Sequence, residues 1–369
     1  MRFAKNKCSQ ILYLLYLRRK HRLAQNKREY WIHPLLQVRY VEGAFYILFE
    51  KLRLHSDHFF HYFRLSITTF DFILERINMR IQKQDSVMRL CVPPNEMLAV
   101  SLRYLASGNT FRDLHYTYRL GEYTIRNIVK LVCRTIWVAF HEEYLPLPNQ
   151  EKFLEIADGF RKTAQSPNCI GAVDGKHVRV NKFSGSGSMN LNYKGYFSIV
   201  LMAVVDSDYR FTFIDVGAYG KDCDSSVFQE TNFWKFLQRG ELNIPEPRPL
   251  HHTLSETAPF VVVGDAAFAL NKNLLRPYGG YSLSIEIKVF NYRLIRARRF
   301  VECAFGILAN KWRIFHRPMN VSKYFCRDIV KASIALHNLV RLKDGSRVAN
   351  DDIYSTPSTE LRSPSTKRC

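Results

Sequence analysis

The sequence predicts an α/β domain behind an all-helical N-terminal region, and three observations predict it. Apolar residues recur at helical spacing up to residue 164, β-branched runs follow between Cys169 and Val263, and helical spacing returns from Arg296 to Arg341. At 369 residues the chain can bury one large core or two modest ones. A content of 47% hydrophobic and 14% aromatic residues excludes wholesale disorder.

The formal net charge is +21, with a pI near 9.7, so the expected partner is a polyanion. Cysteines at 8, 91, 133, 169, 223, 303, 326 and 369 form no CxxC pair and lie beside no close His pair. Neither a zinc site nor a disulfide framework is indicated, and a reducing compartment fits. The longest apolar run near the N-terminus, Ile11 to Leu17, is far shorter than the roughly 20 residues a membrane span needs. No membrane partner is expected.

Residues 1–60 carry twelve Lys or Arg against four Asp or Glu, interleaved with aromatics such as Tyr13, Tyr16, Trp31 and Tyr46. They read as a basic helical arm whose aromatics pack rather than stack on bases. Residues 1–28 contain no acid, which suits a mitochondrial transit segment. The dense Arg18-Arg-Lys-His-Arg22 run suits a nuclear-import or DNA-contacting patch equally well.

Residues 61–150 form the next unit. Phe63, Phe70, Phe72, Ile73 and Ile77 mark a helix within Phe59 to Ile81, with a cap in Ser66 to Thr69. After Pro93-Pro94 come helices at Glu96 to Ala106, Thr110 to Leu120 and Tyr123 to Tyr144, separated by Ser107-Gly-Asn109 and Gly121. Three helices with tight turns are compatible with a helix-turn-helix-like segment, in which Arg119, Arg126, Lys130 and Arg134 would face DNA. An ordinary helical subdomain with a solvated basic face reads the same residues equally simply.

Leu145 to Gln150 marks a boundary, a short helix follows over Glu151 to Ala164, and residues 165–341 form the α/β domain. Its first strand, Cys169 to Val180, reads as interrupted by Asp174-Gly175. Residues 182–190 form a flexible Ser/Gly loop, and Tyr196 to Asp206 with Tyr209 to Val216 reads as a hairpin. Ser225 to Arg239 reads as one helix, Phe260 to Gly264 as a strand ending at Asp265, and Arg296 to Gly306 as a helix carrying Glu302. Asp328 to Arg341 adds a final packed helix, and residues 342–369 read as a disordered polar tail. Strand, hairpin, helix, strand and late helix is the element order of an RNase H-like core.

Asp174 and Asp265 on strands and Glu302 on a helix therefore stand out as metal ligands. Hard carboxylate oxygens suit Mg²⁺ or Mn²⁺, and a cation keeps neighbouring carboxylates ionised. Such a site serves phosphodiester cleavage. An i,i+4 ion pair between Arg298 and Glu302 competes for the acid but is set aside because three acids share the context. Asp224 either orients a ligand or caps the following helix. His177, three residues after Asp174, reads as a satisfied structural histidine, with approach to the substrate as the alternative, and Asp206 and Asp208 read as turn residues.

The motifs Gly171-Ala-Val-Asp-Gly-Lys-His177, Lys194-Gly-Tyr-Phe-Ser-Ile199, Asp224-Ser225, Gly264-Asp265, Ala297 to Gly306 and Leu336-His-Asn338 together resemble the PIF/Harbinger group of DDE transposases and Harbinger transposase-derived nucleases. The likeness runs from about residue 29 to 341, with Ala266 and Cys303 as departures from the usual pattern. It implies an RNase H-like DDE endonuclease domain over 165–341, with Asp174, Asp265 and Glu302 as catalytic and metal-binding triad. It further implies DNA as substrate, a separate Myb-like DNA-binding partner protein, a nuclear location with the cytoplasm as second, and room for homo-oligomers. A domesticated, catalytically silent DNA- or chromatin-binding adaptor is the alternative.

Overall fold

The computed structural model describes residues 11–20, 30–85, 87, 90–250 and 256–345. The N-terminal region is helical throughout these residues: α1 (11–20), α2 (Pro34–Gln37), α3 (Arg39–Glu42), α4 (Ala44–Arg53), α5 (Ser56–Phe63) and α6 (Ile67–Ile81). The helix expected around Phe59 to Ile81 is two helices, because Arg64 takes a left-handed conformation with φ 65° and Ser66 caps a fresh start. Then come α7 (Pro94–Ser107), α8 (Phe111–Tyr118), α9 (Glu122–Tyr144) and α10 (Gln150–Ala164). Thr110 and Asp113 start α8 with a reciprocal capping box.

The sheet follows. β1 (Cys169–Arg179), β2 (Ser198–Val205) and β3 (Phe211–Tyr219) form an antiparallel meander. α11 (Asp224–Glu230), α12 (Asn232–Arg239) and a small β4/β5 ribbon (Arg248–Pro249, Thr257–Ala258) lead to β6 (Val261–Val263) and β7 (Leu274–Leu275). β6 and β7 run parallel to β1, which gives the five-stranded order β3-β2-β1-β6-β7. α13 (Ile285–Lys311), a 3₁₀ turn and α14 (Lys323–Lys343) complete the chain.

Two expectations are corrected here. β1 is unbroken through Asp174-Gly175, since Asp174 and Gly175 keep their ladder partners Ala203 and Met202 on β2. The helix expected from Ser225 to Arg239 divides at Thr231, whose hydroxyl donates to the Phe228 carbonyl and accepts from the Trp234 amide.

β2 explains why its sequence is an apolar run rather than an alternation. Ile199, Leu201, Ala203 and Val205 face one apolar cluster, while Val200, Met202 and Val204 face the other, so both faces are covered. The first cluster runs without interruption from Phe45 on α4 through α6, α7 and α9 to α13 and α14. α9 lies against α14 as a packing helix, with Arg134 held by Asp328 at 2.7 Å and Arg119 by Glu42 at 3.0 Å. At the chain's other end, Asp344 accepts bonds from the Ser66 amide and hydroxyl and from the Thr69 hydroxyl. The expected tail thus begins later than residue 342, and its residues 346–369 lie outside the described ones. Among the described residues no helix is long and apolar enough to cross a membrane.

Candidate active site

The site is set by strand register. β1 and β6 are parallel, their last pair is Ala172 with Val263, and two residues further on stand Asp174 and Asp265. Matching offsets on neighbouring parallel strands bring the two carboxylates to the same level of the sheet, Asp174 in the middle of β1 and Asp265 just past the end of β6. Asp174 lies on the face of Ala172, beneath α13, because strand side chains alternate.

A third acid arrives from α11. Asp224 begins that helix and packs on the backbone of β1 at Gly175, where a Cβ would sit 2.1 Å from its Oδ1. Glycine is what lets the carboxylate so close. That Oδ1 is buried and finds no hydrogen-bond partner. Asp265 accepts the Ala267 amide and Asp174 the Gly175 amide, each at 2.9 Å.

Burial pushes the Asp174 carboxyl up to about 7; the Gly175 amide and the Arg298 cation pull it down, while Asp224 and Asp265 repel its charge. Burial likewise raises Asp224 to about 6, with Asp265 adding to it. Such a group of desolvated, mutually repelling carboxylates with an orphaned oxygen fits a divalent cation: the donors are hard oxygens, and the missing element is positive charge.

Glu302 is placed differently. It lies on α13, half-exposed, with its Oε1 2.6 Å from Nη2 of Arg298 one turn earlier. The ion pair set aside on sequence grounds therefore forms, as i,i+4 geometry allows. Arg298, Glu302 and Phe305 share one stripe of the helix; Arg298 reaches the field of Asp174, and Phe305 receives the Lys176 ammonium at 5.6 Å. Glu302 lies between them in sequence, exposed, with Arg298 as its partner. Among the described residues no three His, Cys, Asp or Glu side chains stand close enough to hold a metal as they are. Asp174 and Asp265 are brought together, Asp224 joins them, and Glu302 is held one arginine away.

The sequence signal for Asp224 was Asp-Ser at a helix start, which a simple cap explains as well. The structure removes that explanation, because α11 has no side-chain cap bond. His177 bonds Ser198 at 3.0 Å, and all six described cysteines are free. Leu336-His-Asn338 is far from the acids and structural: Asn338 accepts the Phe211 amide and donates to the Phe211 and Tyr144 carbonyls.

Comparison with known proteins supplies the family. Residues 173–338 match the model of the DDE superfamily endonuclease family. Protein ALP1-like of Arabidopsis thaliana is 31% identical over 250 residues, 67% of this chain and 60% of that protein. Protein Antagonist of Like Heterochromatin Protein 1 of the same plant is 24% identical over 299 residues, 76% of this chain and 72% of that protein. The chain thus spans about three fifths of the length of the first relative. No solved structure matches it.

Proposed function

Because the chain belongs to the PIF/Harbinger group of DDE transposases and their derivatives, we propose that it cleaves phosphodiester bonds of DNA with a divalent cation held by Asp174, Asp265 and Glu302. The observation that carries this reading is the mutual repulsion of Asp174, Asp224 and Asp265, grouped around the middle of β1 and the end of β6, with one buried oxygen unpartnered. When bound, Mg²⁺ or Mn²⁺ would supply Lewis acidity toward the phosphate oxygens. The chain's own residues do the remaining work. Gly175 admits Asp224 as a further oxygen donor, and Arg298 balances Asp174 and Glu302 until the acids are otherwise neutralised. Asp174→Asn and Glu302→Gln should each abolish Mg²⁺-dependent DNA cleavage while leaving the circular dichroism spectrum unchanged; full cleavage by both variants would sink the assignment.

Within this proposal the α7–α9 region contributes phosphate affinity more than base reading, since Arg119 and Arg134 are committed to ion pairs. Arg126 likewise pairs with Glu122 at 3.9 Å and lies over the Phe111 ring at 4.7 Å, so a helix-turn-helix role would rest chiefly on Lys130 among the four. Base discrimination then falls to a Myb-like partner, and the protein acts in the nucleus. The isolated chain should bind duplex DNA with a steep salt dependence and distinguish target from random sequence poorly, as competition binding near physiological salt would reveal.

A second reading, a chromatin adaptor without cleavage, is favoured by the name of the second relative, which refers to a heterochromatin protein. Duplex binding with neither Mn²⁺ uptake nor cleavage would select it.

A further inference from the structure

Lys194-Gly-Tyr196 and His177 are motif residues that the carboxylate site does not use, and the structure gathers them. The loop between β1 and β2 folds back so that Tyr193 stands edge-on to His177 at 5.8 Å and Tyr196 at 6.4 Å from the same ring. Cations flank the rings: the Arg179 guanidinium lies 4.4 Å from the centre of Tyr196 and the Lys194 ammonium 5.3 Å from that of Tyr193. Tyr193 is 75% exposed although it sits in an aromatic cluster.

The cluster is built, not draped. Asn192 is buried; its Oδ1 accepts the Lys194 and Tyr196 amides, and its amide group donates to the Ser198 hydroxyl. The Ser198 hydroxyl in turn bonds Nδ1 of His177. Gly195 takes φ +78°, which a side chain would strain, so the tight turn presenting Tyr193 needs glycine. One Asn–Ser–His chain of bonds, buried at Asn192 and Ser198, thus fixes both the loop and the ring beneath it.

Its position points to an occupant. His177 and Gly175 share a face of β1, and Gly175 is where Asp224 packs, so the aromatic cluster begins about 7 Å along the strand from that acid. An exposed ring backed by rigid aromatics and bordered by two cations complements a flat π-face attached to a phosphate. Paired bases hide their faces in the stack, whereas an unpaired base offers one.

We propose that Tyr193, supported by His177 and Tyr196, forms a subsite that stacks one unpaired DNA base beside the carboxylate cluster, with Arg179 and Lys194 holding the adjoining phosphates. The protein would therefore favour single-stranded or splayed DNA over an intact duplex. This rests on the nucleic-acid reading of the carboxylate face but not on cleavage, so it is tested in chelator, where no cutting occurs.

The experiment measures binding of the full chain to a single strand, to a duplex with unpaired ends and to a blunt duplex, each carrying 2-aminopurine as a stacking reporter. Wild type should bind the first two more tightly than the third and quench the reporter at an unpaired position. Tyr193→Ala should lose about 5- to 100-fold in affinity for the unpaired substrates, the equivalent of one stacked base. It should leave the blunt duplex unchanged, and Tyr193→Trp should restore both affinity and quenching. Lys194→Gln should weaken all three substrates alike. Because Tyr193 is exposed, its replacement should leave the thermal transition in place. The proposal is overturned if Tyr193→Ala weakens all three equally, if it weakens none, or if wild type binds no DNA at low salt. Binding without cleavage once Mg²⁺ is restored would defeat the nuclease reading and leave the subsite standing.

Discussion

Two half-buried aspartates make the protein respond to pH before any ligand arrives. Asp174 and Asp224 have folded-state values of about 7 and about 6, against 3.8 for the free side chain. The folded chain therefore holds protons that the unfolded chain gives up, and stability falls as pH rises through that interval. Asp224→Asn removes the penalty without changing shape. In chelator the variant should melt a few degrees above wild type at pH 8, and the two curves should converge below pH 4. A variant less stable than wild type at pH 8 would show that Asp224 is held by favourable contacts rather than stored as repulsion. At this scale the sequence made Asp174 and Asp265 legible, because an acid inside or just after a β-branched run has few structural explanations. It left Asp224 undecided, because a helix start is explained locally and only the neighbouring strand shows what else it faces, and it set aside the Arg298–Glu302 pair, which forms.

Helices were easier to locate than to delimit. The long apolar spacings of α7, α9, α10 and α14 were evident, yet α12 needed a cap at Thr231 that competes with an uninterrupted periodicity, and β7 is two residues long, too short to alternate. α14 shows why the Leu336-His-Asn338 motif belongs to architecture. His337 is wholly buried, its Nε2 pairs with the Tyr209 carbonyl at 2.9 Å, and burial depresses its pKa to about 3 from 6.5. The unfolded chain takes up a proton there that the folded chain refuses, so stability is complete above pH 6.5 and falls as pH drops toward 3. The slope contributed by this one side chain is about 1.4 kcal/mol per pH unit. Asp174 and Asp224 act in the opposite direction over the same interval, so the contribution is read as a difference: in urea unfolding at pH 7 and pH 5, wild type should lose stability relative to His337→Gln as pH falls, and an identical pH dependence in both would assign the acid response to other groups.

At the scale of the whole molecule, a boundary near residues 150–165 exists in composition but not in packing. The apolar cluster that starts at Phe45 ends at Val340, and the Asn338 bonds tie the end of α9 to the start of β3. Removing the N-terminal helices would expose the α9-facing side of α14, a face rich in Ile, Leu and Ala. A fragment of residues 165–345 should therefore be insoluble or molten, while residues 30–345 should fold cooperatively; hydrogen exchange and near-ultraviolet dichroism on both would test it. A well-folded 165–345 fragment would make the helical region an accessory.

Gly175 bears on how any of this is to be dissected. Silencing an acid site usually means neutralising an acid, which alters the field a polyanion meets and so confounds catalysis with attraction. Here a single methyl group offers another route: Gly175→Ala keeps every carboxylate and the net charge of +21, yet its Cβ claims the space of Asp224 Oδ1 and forces that carboxylate aside. The backbone of β1 thus contains a charge-silent off position, by which recruitment to a nucleic acid can be separated from what happens once the chain is there.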